Sequence, residues 1–362
     1  MDSPAEQPAP DIMARLPRIA QWALLLLVSA LIAGAMELAG LPAAFLIGPM
    51  LAAVIAGVNG ATVRPPKAGF AIAQAVIGVL IAASIEIEIF ASFLHDWPLF
   101  LGAVLATVAA SSFLGWLISR WKILPGSTAV WGSSPGAATA MVLMADAFGA
   151  DARLVAFMQY FRVILVSLAA ALIAGLFVDT EGIAQPATVW FPALRWPDFA
   201  ATLGIALVGA LLGSLLRLPS PYFLGTMILG VALHLTGLVD FQLPPWLLTA
   251  SFALIGWTIG LNFTRPIVRH AAPVPPQIAG SILALIAFCG GLAFLLSHVL
   301  GIDPLTAYLA TSPGGMDSIA IIAAASNSVN LSFVMALQTA RFLFVLLFGP
   351  AIARLIARAV KE

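Results

Sequence analysis

Charge is what this chain has least of. Only 9% of its 362 residues are Asp, Glu, Lys or Arg, where a soluble globular domain carries about 25%. Sixteen basic and sixteen acidic residues balance to zero, so bulk charge offers nothing to a nucleic acid. Cysteine is almost missing. The single Cys289 lies in an apolar run, which excludes a disulfide framework within the chain and any cysteine-based metal cluster, and reads as a small buried residue. Four histidines, His95, His234, His270 and His298, are scattered without ligand spacing; neither a metal nor a cofactor is expected. What is abundant is apolar surface: 62% of the residues, with a mean hydropathy of +1.06. It comes in runs of about 18–25 residues, the length of membrane helices, rather than in the alternating ~10-residue strands of a barrel. The expected fold is an all-α polytopic membrane protein whose first partner is the lipid bilayer.

The first 17 residues are polar and proline-rich and read as a disordered tail. Arg15 and Arg18 then precede an apolar run, the pattern of a signal peptide. A matching helix deep inside the chain argues against cleavage. Apolar segments follow at 19–38, 42–58, 68–90, 98–119, 125–148, 152–178, 199–216, 221–238, 247–264, 276–299, 304–327 and 331–357. Six and six suggest a repeat. Pro42, Phe45, Gly48 and Met50 find counterparts 177 positions on in Pro219, Tyr222, Gly225 and Met227. Pro65-Pro66 is echoed by Pro244-Pro245, and Gly78 by Gly256. The expected organisation is tail 1–17, membrane repeat 18–178, linker 179–198 and membrane repeat 199–362, each repeat about 178 residues. The linker, rich in Pro and Trp, suits the membrane interface.

Basic residues mark the cytoplasmic side. With Arg15 and Arg18 inside, two later segments must dip in and return, rather than span, for Arg217, Arg265, Arg269, Arg354, Arg358 and Lys361 also to fall inside; Arg195 is the exception. The expected topology is therefore two inverted halves, each of five spans and one re-entrant or broken helix, with twelve parallel-repeat spans as the alternative.

The breaks are written in the sequence. Ser134-Pro135-Gly136 and Ser312-Pro313-Gly314-Gly315 interrupt apolar segments 178 positions apart. Proline ends a helix and glycine permits the turn, which exposes backbone groups that lipid cannot satisfy and begins a new helix whose N-terminus attracts anions. Broken helices at matching places point to a transport site; a packing kink is the plainer explanation. Gln159 and Arg162 correspond to Gln338 and Arg341. An arginine at the bilayer centre costs about 2.5–3.5 kcal/mol, so each must face a cavity, an acid or backbone carbonyls, and each glutamine, one turn earlier, shares its face. Asp317, where the first half has Thr139, could hold a coupling proton or Na⁺, or pair with an arginine. Gly48-Pro49 and Gly225-Thr226 read as close helix packing or cavity lining.

SSPGAATAMVLMADAFGAD…QYFR and TSPGGMDSIAIIAAAS…QTARFLFVLLFGP together resemble the AbrB-duplication family of bacterial membrane proteins, over nearly the whole chain beyond the tail. The resemblance implies a multi-pass inner-membrane protein. The family has been labelled both a regulator of gene expression and an ammonia monooxygenase. No segment here reads as a soluble DNA-binding domain, and no His or carboxylate cluster is spaced for a copper oxygenase. The first copy departs from the family pattern at Gly136-Ala137. The expected function is secondary transport of a small anion bound between the two breaks, by a non-enzyme that is a candidate homo-oligomer. The alternative is a membrane-embedded sensor acting on gene expression indirectly.

Overall fold

The computed structural model describes residues 12–39, 43–83, 97–124, 127–134, 141, 145, 148–177, 190–218, 220–271, 275–326 and 329–361. Among them the regular structure is helical throughout: α1 (Arg18–Leu38), α2 (Ala44–Val58), α3 (Lys67–Ala82), α4 (Trp97–Arg120), α5 (Thr128–Ser133), α6 (Ala152–Phe177), α7 (Trp196–Leu215), α8 (Pro221–His234), α9 (Pro245–Gly260), α10 (Arg265–Ala271), α11 (Pro275–Leu300), α12 (Pro304–Thr311), α13 (Met316–Ala324) and α14 (Leu331–Lys361). Within α1, α4, α6, α7 and α11 lie the 5 stretches long and apolar enough to cross a membrane, and α9 with α10 makes a sixth span if a 53° bend is counted within it. This is a multi-pass membrane protein.

Several expected spans are shorter in the structure. The helices α2, α3 and α8 have 15, 16 and 14 residues, about 22 Å of rise where the hydrocarbon core is about 30 Å. The expected segment 247–264 ends early, at Gly260, and the chain turns into α10. Prolines set the beginnings: Pro66 and Pro244 stand just before α3 and α9, and Pro221 and Pro304 open α8 and α12, positions where a missing N–H costs nothing.

The helices sort into two packed groups. One holds α1, α2, α3, α7, α8 and α9; the other holds α4, α5, α6, α11, α12, α13 and α14. Packings come in corresponding pairs. Helix α2 packs on α9 and α3 on α8; α4 packs on α14 and α11 on α6; α5 packs on α14 and α12 on α6. The seams are made by small residues. A Cβ at Gly78 would stand 2.1 Å from Thr226 Oγ1 on α8, and one at Gly256 would stand 2.5 Å from the Leu46 carbonyl on α2. Gly48 likewise abuts Ala33 on α1, where a Cβ would be 2.6 Å from a backbone nitrogen. Of the two readings open for Gly48 and Gly225, the structure shows close packing.

Relative directions follow from contacts at the helix ends. Phe333, at the start of α14, packs on Phe100, at the start of α4, with ring centroids 5.0 Å apart. Arg354, near the end of α14, lies 5.6 Å over the ring of Phe148, just before α6. Helices α6 and α14 therefore run in opposite directions.

On the same side as Phe148, α10 is clasped to α6. Asp151 caps α6, its Oδ1 accepting from the Arg153 and Leu154 N–H groups, while His270 Nε2 lies 2.7 Å from its Oδ2. Burial alone would raise the Asp151 pKa, but the His270 hydrogen bond and the capping N–H groups outweigh it and hold the carboxyl below its ordinary value. A depressed carboxyl adds stability above its ordinary range, about pH 4, and that stability is lost as pH falls through the lowered value. Thermal unfolding against pH should therefore show an acid-side loss that Asp151→Asn flattens, since asparagine keeps the cap but not the charge.

Candidate functional site

The site is built on two long helices that each grip a short broken one. In the second half, Asp303 caps α12, its Oδ2 accepting from the Thr306 N–H at 2.8 Å. Thr306 Oγ1 in turn accepts from the Asn330 N–H at 3.0 Å, and Asn330 Oδ1 caps α14 through the Phe333 N–H. In the first half Thr128 Oγ1 accepts from the Asp151 N–H at 3.1 Å. Each short helix thus starts level with the long helix that follows it.

Two to three turns along the long helix, the Gln-x-x-Arg motif meets the far end of the short one. Gln338 Nε2 donates to the Leu309 and Ser312 carbonyls at 2.7 and 3.1 Å. Arg341 Nη1 donates to the Thr311 and Ser312 carbonyls at 3.3 and 2.5 Å, and Nη2 to the Gly314 carbonyl at 3.3 Å and Gln338 Oε1 at 2.5 Å. The first half repeats the pattern. Gln159 Nε2 donates to the Trp131 and Ser134 carbonyls, both at 3.0 Å, Arg162 Nη1 to the Ser133 and Ser134 carbonyls at 3.2 and 3.1 Å, and Arg162 Nη2 to Gln159 Oε1 at 2.7 Å. Arg162 and Arg341 are 4% and 6% exposed.

The physical reason is the helix terminus. Helices α5 and α12 end at Ser133 and Thr311, each two positions before a proline in the sequence, which leaves their last carbonyls without intrahelical donors. Those carbonyls carry partial negative charge, and in lipid no water can meet them. A guanidinium supplies five donors in a planar fork. Of the three surroundings the sequence left open for the arginines, backbone carbonyls are the ones observed, at the C-terminal end of the preceding short helix. No carboxylate pairs with either guanidinium among the described residues.

The two breaks lie near each other. Val166 and Val163 of α6 stand 3.1 and 3.7 Å from where a Cβ would sit on Gly314 and Gly315, and Ser134 Oγ is 3.8 Å from that point on Gly349 of α14. Each break thus touches the arginine-bearing helix of the other half. Beside Arg162 a cavity of about 10 Å³, bordered by Ser111, Ser133 and Ser281, has room for about one water. Of the expected site residues, Ser134, Gln159, Arg162, Ser312, Pro313, Gly314, Gly315, Gln338 and Arg341 come together here. Pro135 and Gly136 lie outside the described residues; Asp317 opens α13, and its side chain lies outside them too.

Sequence reading missed the clamps Thr128–Asp151 and Thr306–Asn330, although they sit at the offsets of the breaks and were findable. It also missed Tyr308 and Ser318, which are buried at the second break and have no counterpart of the same type in the first half.

Comparison with known proteins places the chain. Residues 45–357 match the family model described as "Transition state regulatory protein AbrB". The chain is 44% identical over 340 residues to "Putative regulator AbrB" of Escherichia coli (strain K12), covering 94% of this chain and 97% of that protein. It is 24% identical over 301 residues to "Uncharacterized protein YhjN" of Bacillus subtilis (strain 168), covering 79% and 78%. With the helices, the paired breaks and this match over most of its length, the chain belongs to the AbrB family.

Proposed function

We propose that this protein is a secondary transporter of the bacterial inner membrane, not an enzyme, carrying a small anion through a site between its two broken helices. The observation that carries the reading is the duplicated clamp: two interrupted helices, each held by Gln-x-x-Arg, each resting on the other half's arginine helix. Such breaks line transport sites in proteins built of inverted repeats. Inversion is supported by the opposed directions of α6 and α14, and re-entrance by the Thr128–Asp151 and Thr306–Asn330 bonds, which hold both ends of each out-and-back segment together. An anion suits two buried guanidiniums and the N-terminus of α13. In this reading Asp317 carries the coupling proton or Na⁺, and the assembly is a homo-oligomer.

Flux is the test. Proteoliposomes holding the purified protein should accumulate a labelled small carboxylate or inorganic anion under a proton or Na⁺ gradient. Asp317→Asn should lose gradient-driven accumulation while retaining exchange. No gradient-dependent flux of any anion in the panel would sink the reading. A second reading, a ligand-binding membrane regulator, is favoured by the printed names of the family model and the E. coli relative; ligand-induced stabilisation without flux would select it.

A further inference from the structure

We propose that the anion is held by hydroxyl groups at the second break, Tyr308, Ser312 and Ser318, together with the first N–H groups of α13, and that it carries a carboxylate. The inference rests on the transport reading and names the binding groups of its site.

Buried polar side chains normally have partners. Here the Ser318 hydroxyl has none, and those of Tyr308 and Ser312 reach at most each other, in residues that are 1%, 5% and 0% exposed. All three lie around one four-residue interruption. Tyr308 and Ser312 are one turn apart at the end of α12, and Ser318 Oγ is 3.7 Å from the Cβ position of Gly315, at the start of α13. A Tyr308–Ser312 contact across that turn would still leave one hydroxyl proton without an acceptor. An unmet buried hydroxyl is destabilising, so this group around one interruption calls for a ligand.

The surroundings decide its sign. A cation would need oxygen ligands, yet the carbonyls of Thr311, Ser312 and Gly314 already accept from Arg341. The hydroxyls can face either sign; the balance is tipped by the N–H groups that the nine-residue α13 leaves unpaired at its N-terminus, which only donate. Arg341 adds positive charge beside them. Donors spread over two helix ends suit a group with two acceptor oxygens better than a monatomic halide. The hydroxyls are closed off in this structure, so entry requires α13 to part from α6 along the side-chain-free seam at Gly314 and Gly315.

The test measures binding apart from flux. The full-length protein in detergent is unfolded thermally in increasing sodium acetate, with sodium chloride at equal ionic strength as reference. Acetate should raise Tm saturably and chloride should not. Tyr308→Phe and Ser318→Ala should each weaken the apparent affinity about 10- to 100-fold, as expected for a hydrogen bond to a charged group. Ser318→Ala should not lower Tm without acetate, because it removes an unmet hydroxyl. Ser119→Ala, which removes another such hydroxyl, on α4, should leave the acetate response intact. The proposal falls if either break variant binds acetate like wild type, if Ser318→Ala lowers the ligand-free Tm, or if chloride acts as acetate does. Acetate binding through Tyr308 without flux in proteoliposomes would overturn transport and keep the site; unchanged flux in Tyr308→Phe would do the reverse.

Discussion

Arg341→Ala is expected to lose more than about 3 kcal/mol of stability, the range for stripping one member from a buried hydrogen-bonded charge network, and to leave little folded protein in the membrane. Four acceptors depend on this guanidinium: the carbonyls of Thr311, Ser312 and Gly314, and Gln338 Oε1. The first two belong to a helix end that proline has cut off from the donors continuation would have supplied, and the third lies in the interruption itself. Lysine offers three donors on one nitrogen and cannot reproduce the planar fork, so Arg341→Lys should rescue only in part. Gln338→Leu, which removes two donated bonds and one accepted, should cost about 2 kcal/mol. Monodispersity and Tm of the detergent-solubilised protein read all three. A fully stable Arg341→Ala would show that the C-terminal carbonyls of α12 do not need the clamp. The consequence for transport assays is direct: loss of flux in this variant is uninformative until folding has been checked, whereas Tyr308→Phe leaves the clamp in place.

Gly225→Ala, on the α7–α8 seam, is expected to cost about 3 kcal/mol, the upper end of overpacking. The added Cβ would lie 2.2 Å from the Gly209 carbonyl and 2.7 Å from the Gly213 Cα. Both are backbone atoms, so no rotamer relieves the contact and the two helices must separate. Separation would in turn disturb α3, whose Gly78 is seated against Thr226 and the Phe223 carbonyl. Gly290→Ala is the control: nothing lies within 4 Å of its Cβ position, and alanine there should be neutral or slightly stabilising, by up to about 1 kcal/mol. Equal Tm values for the two variants would refute the close seam.

Much of the candidate site could be read before any coordinates. Ser-Pro-Gly predicts an interruption because proline and glycine act on their own backbone, and Gln-x-x-Arg predicts a shared helix face because i and i+3 are neighbours. The partner of that face was not legible. Cavity, acid and carbonyl were all compatible with a buried arginine, and the choice turned on Leu309, Thr311 and Ser312, which contribute backbone oxygens that any residue type would supply. Helix lengths failed for a similar reason. The window 221–238 is mostly apolar, yet α8 ends at His234, since hydropathy measures solvent preference and not where a chain turns. The orphaned hydroxyls of Tyr308 and Ser318 were invisible too, because a serine or tyrosine in an apolar run ordinarily finds a backbone acceptor, as Thr311 does.

By itself the sequence determined the solvent and the grammar of this protein: a bilayer, helices throughout, two interruptions with an arginine following each. Those are local properties, set by side-chain transfer energies and by the backbone restrictions of proline and glycine. Only the tertiary structure decided what the arginines hold, which helix each interruption rests on, and which hydroxyls are left wanting an acceptor. These depend on distances between residues that are tens to hundreds of positions apart, and no window along the chain contains them.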